Sequence, residues 1–151
     1  MKRMFGAIVL LIATGGSALA GTDDIVKVRS PDDVARTMDR LEAAVTGAGA
    51  DVFARVDHAA GASSVDMELA PAQLLIFGNP KIGTPAMQDD PLAGLYLPLR
   101  VLVYRDDAGQ TWLAYEKPEE MFDDLKVPDD AGYLGMMTGA LRNLTKAAAG
   151  G

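Results

Sequence analysis

His58 is the single histidine of the chain and, with a reference pKa near 6.5, the side chain best suited to move a proton near neutrality. It follows Asp57 at the end of an expected strand, where neighbouring side chains point to opposite faces, so the adjacency alone makes no dyad. The other stretch with chemistry in it runs from Phe77 through Gly78-Asn79-Pro80-Lys81-Ile82-Gly83-Thr84-Pro85 to Met87. It leaves an apolar run through a Gly-Asn-Pro turn and enters a helix, with Thr84 as the expected N-cap and Pro85 as the first helical residue. Amides around Gly83–Met87 would then face outward at the positive end of the helix dipole, beside the Lys81 charge. Asn79, Lys81, Gly83 and Thr84 thus form a candidate anion cradle, which Asp57 and His58 could join. The spacing is neither GxxxxGK[ST] nor GxGxxG, and Gly78 and Gly83 also suit a plain tight turn.

Other chemistries are excluded or weakened by composition. The 151 residues contain no cysteine, which removes disulfides, thiolate zinc sites, iron–sulfur clusters and cysteine nucleophiles. A formal charge of −7 argues against nucleic acid, whose phosphates need a basic face. Six methionines lie beyond the first twenty residues, but no MxxM or MxM pattern supports a Cu(I) site, so copper handling is a third expectation behind ligand binding and hydrolase or isomerase chemistry. No cofactor is expected. The acidic pairs sit near element ends, as helix starts and solubility require, with no ligand ladder among them.

Residues 1–20 have the form of a secretory signal peptide. Lys2 and Arg3 precede an apolar run from Met4 to Thr14, and Ala18-Leu19-Ala20 supplies the cleavage pattern. The run falls short of the ~20 residues that span a bilayer, and without cysteine no lipid can be attached. Cleavage would leave a domain of residues 21–151, and losing two basic residues would take the charge from −7 to −9. A periplasmic or secreted location follows as the expectation, without a stable membrane anchor.

The elements that must position these residues are legible in outline. Asp24–Val28 is a short strand candidate. Ser30 is the expected N-cap of a helix with Pro31 first, whose face carries Val34, Met38, Leu41 and Val45 before Gly47 and Gly49 end it. Strand patterns follow at Val52–Val56, Val65–Leu69, Gln73–Phe77, Leu99–Tyr104 and Thr111–Glu116, with a loop at 61–64. Asp106-Asp107-Ala108-Gly109 is a strong hairpin signal. A short helix at Pro118–Phe122 and a longer one from about Asp130, with Leu134, Met137, Leu141 and Leu144 on one face, close the chain. The order predicts an α+β two-layer sandwich: a largely antiparallel sheet of about five to six strands with helices packed on one face. The second face must then be solvated, filled by ligand or covered by a partner, and Trp112 is placed to help form it.

Asp57-His58, Gly61-Ala62, Leu74–Phe77, Gly78-Asn79-Pro80-Lys81, Gly83-Thr84-Pro85, Met87 and Leu97–Val103 together resemble the signature of the domain of unknown function 302. The resemblance spans roughly Asp24 to Ala147. It implies a compact α+β domain paired as a homodimer, often behind a bacterial signal peptide, and it implies no activity. Ala86 departs from it, standing where a larger apolar residue is expected. The leading expectation is a non-enzymatic module binding a small anionic or polar ligand near Asp57, His58, Asn79, Lys81, Gly83 and Thr84. The alternative is a small hydrolase or isomerase with His58 as general base and the Gly83 and Thr84 amides stabilising an oxyanion.

Overall fold

The computed structural model describes residues 24–151, so the expected signal peptide at 1–20 and its cleavage lie outside the described residues. Five strands, β1 (Ile25–Ser30), β2 (Asp51–Asp57), β3 (Ala72–Gly78), β4 (Leu99–Arg105) and β5 (Thr111–Glu116), form one antiparallel sheet in the order β1-β5-β4-β3-β2. The helices are α1 (Val34–Gly47), α2 (His58–Ser63), α3 (Pro80–Asp89), α4 (Pro118–Met121) and α5 (Gly132–Ala148), with a 3-10 turn at Pro91–Leu95. This is the expected α+β layering.

Period-2 alternation divides the sheet into two unlike faces. Leu75, Phe77, Val101, Val103, Leu113 and Tyr115 are buried, and their face packs against Met38, Leu41 and Val45 of α1 and Met137 and Leu141 of α5. The alternate positions Leu74, Ile76, Leu102, Tyr104, Trp112 and Ala114 are only half-buried. Among the described residues the apolar run Leu74–Phe77 therefore has one covered side, not two. In β2 the register shifts between Val52 and Ala54, so Val52 pairs with buried Phe77 whereas Ala54 pairs with half-buried Ile76. That bulge interrupts the simple alternation of Val52, Ala54 and Val56.

Several boundaries move for identifiable reasons. Ser30 is not the cap of α1: it completes β1 opposite Thr111, and its buried hydroxyl meets that of Thr37 at 2.7 Å. Asp33 caps the helix instead, its carboxylate accepting the Arg36 N–H at 2.8 Å. Thr84 is likewise inside α3; Asn79 is the cap, with Oδ1 accepting the Lys81 N–H, and Pro80 is the first residue. Residues expected to loop at 61–64 belong largely to α2, capped by Asp57. Val65–Leu69 forms no strand, and Val65, Met67 and Leu69 are each more than half exposed. The hairpin between β4 and β5 is as expected, with Gly109 at φ +80 closing the turn.

Candidate functional site

Between α3, α5 and the entry to β4 lies a cavity of about 430 Å³, within the usual size range of small-molecule sites. Phe77, Leu99, Met137 and Leu144 form its buried apolar wall. Ile82 and Met87 of α3, Leu97 and the cis-linked Pro98, and Ala48, Ala50 and Phe53 from the α1–β2 side enclose the rest. Polar side chains enter the lining only as Asn79, Thr84 and Asn143, and no Asp, Glu, Lys, Arg or His is among them.

The local sequence explains why space remains there. Gly78 ends β3 where an added Cβ would meet Pro98 Cβ at 3.4 Å, and Gly83 faces Leu97 Cδ1 at 3.5 Å. Alanines supply other parts of the lining, so larger groups nearby, Phe53 and Met87 among them, border open volume rather than interlocking. Asp90, at the end of α3, accepts the Leu92 N–H at 2.9 Å and the Lys126 N–H at 3.1 Å. Those two donors, the Leu92 one foremost, hold its carboxyl below the usual carboxylate range. Tyr133 of α5 donates its hydroxyl to Asp89 Oδ2 at 2.7 Å. Burial first, then the hydrogen bond to Asp89 and the charge of that carboxylate, pushes that phenol up to about 12. Together these bonds tie the far end of α3 to α5 and to the chain leading into it, keeping one wall of the cavity in place.

The residues singled out from sequence divide into two groups. Asn79, Gly83 and Thr84 line the cavity; Lys81 is exposed and is not part of the lining. Asp57 and His58 are elsewhere. The β2–β3 ladder pairs Asp57 with Gln73 at one end and Asp51 with Gly78 at the other. Five residues of strand, at about 3.4 Å each, set Gln73 and Gly78 roughly 17 Å apart. His58 opens α2 on the surface, and the Asp57 carboxylate is engaged by the Ala60 N–H at 2.9 Å and by Gln73 Nε2 at 3.2 Å.

The anion cradle changes character with the shift of the cap. Gly83 and Thr84 amides belong to the body of α3 and do not project from its start. In the true first turn Pro80 has no N–H, the Lys81 N–H goes to Asn79 Oδ1, and the Ile82 and Gly83 N–H groups go to the Asn79 carbonyl at 2.9 and 3.0 Å. Among the described residues no cluster of three or more His, Asp or Glu is placed to hold a metal ion.

Sequence reasoning missed most of the cavity wall. Met137, Ala140 and Leu144 recur at helical spacing and read as ordinary core, and Leu97-Pro98 reads as a strand entry. The lone usable signal was the pair of glycines at 78 and 83, small residues that leave room beside Pro98 and Leu97 without revealing what else encloses the space.

Residues 26–149 match the family model described as "Domain of unknown function DUF302". The chain belongs to the DUF302 family. The fold agrees: the crystal structure of an uncharacterized conserved DUF302 protein from Bacillus stearothermophilus superposes with a TM-score of 0.76, covering 83% of this chain and 98% of that one at 18% identity. Two curated relatives, each named fluoride-specific ion channel FluC 1, are from Brucella suis biovar 1 (strain 1330) and Brucella abortus biovar 1 (strain 9-941). Both are 41% identical to this DUF302 chain over 128 residues, covering 83% of it and 50% and 47% of their own lengths. The chain thus spans about half the length of those relatives. No helix among the described residues is long and apolar enough to cross a membrane.

Proposed function

We propose that this DUF302 protein is a non-enzymatic module that binds a small molecule in the cavity between α3 and α5. The observation that carries the reading is the cavity itself: about 430 Å³ of formed space with polar groups gathered on a few positions. The roughly 17 Å of strand between the His58 end of the sheet and the cavity end weighs against the hydrolase or isomerase alternative, because proton transfer needs hydrogen-bond reach or one bridging water. Scattered methionines weigh against copper handling in the same way. Native mass spectrometry of protein isolated from its own compartment tests the proposal. A retained small molecule that is lost in Ala140→Phe, which fills the cavity from α5, is the expected result. Identical spectra and identical melting of both proteins against a broad panel of small molecules would overturn it.

The proposed setting is the periplasm or the secreted space, supported by the leader-like residues 1–20. Pairing of two copies is proposed through the sheet face that no described helix covers. That face combines half-buried Leu74, Ile76, Leu102 and Trp112 with the cations Lys27, Arg29 and Arg100 on the same side. The segment 65–69, between α2 and β3, alternates exposed Val65, Met67 and Leu69 with Asp66 and Glu68, an apolar and acidic strip complementary in kind to that face.

A second reading rests on the 41% identity to proteins named as fluoride channels: the module works beside a membrane channel. Sodium fluoride raising the melting temperature where sodium chloride does not would support direct handling of that anion; equal curves would remove it.

A further inference from the structure

Resting on the cavity reading, we infer that the ligand is an uncharged amphiphile: an apolar chain or ring with one neutral hydrogen-bonding end, such as an alcohol, ester or amide. Two independent features of the site carry this, the lining and the hydrogen bonding of the adjoining helix start.

The lining contains no ionisable side chain, so a carboxylate, phosphate or ammonium entering it would surrender hydration with no opposite charge to replace it. The helix start offers no substitute. Its first amides are consumed by Asn79, through Oδ1 for Lys81 and through the carbonyl for Ile82 and Gly83, so none of the first-turn amides after Asn79 is left free for an anion. Lys81, the cation of that turn, lies outside the lining.

Neutral hydrogen-bonding capacity is present. Asn79 uses Oδ1 for the cap, leaving its Nδ2 donors; Thr84 and Asn143 have exposed side chains with no partner among the described residues. These three groups can exchange donors and acceptors with a hydroxyl, ester or amide at no cost in charge burial. Phe77, Leu99, Met137 and Leu144 offer only carbon and sulfur to the remainder of the molecule. Phe53 and Met87 line the cavity while staying 58% and 39% exposed, so the site carries apolar surface out to solvent, as passage of an apolar molecule requires.

The test is isothermal titration of the full mature chain at pH 7.5 with three matched series from six to ten carbons: 1-alkanols, alkanoates and alkylammonium ions. Alkanols should tighten about fourfold for each added methylene, the increment for moving one CH₂ out of water. Alkanoates and alkylammonium ions of equal length should bind at least about tenfold more weakly, since each must enter charged. Thr84→Val with Asn143→Leu should weaken every alkanol several-fold and leave the methylene increment unchanged. Ala140→Phe, or the milder Ala140→Leu should the first fail to fold, should abolish or weaken binding across the series. If an ionic series matches or exceeds the alkanols, and Ala140→Phe still blocks it, the ligand class is wrong and the cavity reading survives. If affinity ignores chain length and the α5 variants change nothing, the cavity reading falls and this inference with it.

Discussion

The buried pair Ser30–Thr37 offers a sharp test of how α1 is attached to the sheet. Ser30 is 1% and Thr37 0% exposed, and their hydroxyls lie 2.7 Å apart. Ser30 Oγ also accepts the Asp32 N–H at 3.3 Å, a longer contact. Thr37→Val keeps the side-chain shape and removes the hydroxyl. Ser30 then retains the Asp32 contact but loses its partner in the core. Leaving a buried hydroxyl without that partner costs about 1–3 kcal/mol, and the surviving contact places the expectation in the lower half, about 1–2 kcal/mol. For a domain of this size that corresponds to a fall in Tm of about 4 °C per kcal/mol. Ser30→Ala combined with Thr37→Val removes both hydroxyls, so the double variant should lose less than the sum of the singles, with a coupling of about 1 kcal/mol. Urea unfolding followed by circular dichroism reads all four corners of the cycle, with unchanged m-values as the control. Additive singles, or a silent Thr37→Val beside a costly Ser30→Ala, would refute the pairing and return Ser30 to the role of helix cap. Asp33→Ala completes the set, since loss of the actual cap should cost about 1 kcal/mol.

Other expectations follow from the same reasoning. Tyr133 is raised in the folded state by burial and by Asp89, so its contribution is intact below about pH 10 and lost as pH climbs through about 12; Tyr133→Phe should flatten that alkaline limb in a pH series of melting temperatures. Asp106 is held below its ordinary value by the Trp112 Nε1–H at 2.8 Å and the Gln110 N–H at 2.8 Å, so its contribution is present above about pH 4 and disappears as pH falls through the lowered folded value. Trp112 fluorescence should report that acid transition, and Asp106→Asn should remove the pH dependence that sets in below about pH 4. If two copies pair through the open sheet face, light scattering at micromolar concentration should give twice the chain mass, and Leu102→Asp should give the single mass with the fold retained by circular dichroism. A single mass for the unaltered protein would dispose of the pairing. Mass analysis of protein secreted by its own host should show Gly21 at the start; an intact Met1 would contradict the leader.

What could be read from the chain alone was what local physics decides. The apolar run of β3, the turn signal between β4 and β5 and the apolar stripes of α1 and α5 depend on neighbours one to seven residues apart, so the α+β layering and the helix faces were visible. Caps were readable as a residue type but not as a position: Ser30, Asp32 and Asp33 are all competent, and only the pairing of Ser30 with Thr111 removes it from the competition and leaves Asp33 to serve. Asn79 and Thr84 posed the same choice, and Asn79 prevails at the end of β3, where its side chain accepts the Lys81 N–H. Val65–Leu69 has the alternation of a strand and pairs with nothing, because strand formation needs an adjacent edge as well as a pattern.

The site depended still more on tertiary structure. His58 and the Asn79–Thr84 segment stand about twenty residues apart in sequence and attracted the same functional argument, yet the β2–β3 register sends them to opposite ends of one ladder. The cavity draws its wall from the α1–β2 connection, β2, β3, α3, β4 and α5, and its lack of charge is a property of that assembly rather than of any segment. By itself the sequence determined composition, the absence of cysteine that excludes thiol and thiolate-metal chemistry, and the outline of most elements. Which residues meet, which amides are already spent and where unfilled volume remains were decided only when the sheet register and helix packing brought distant residues into contact.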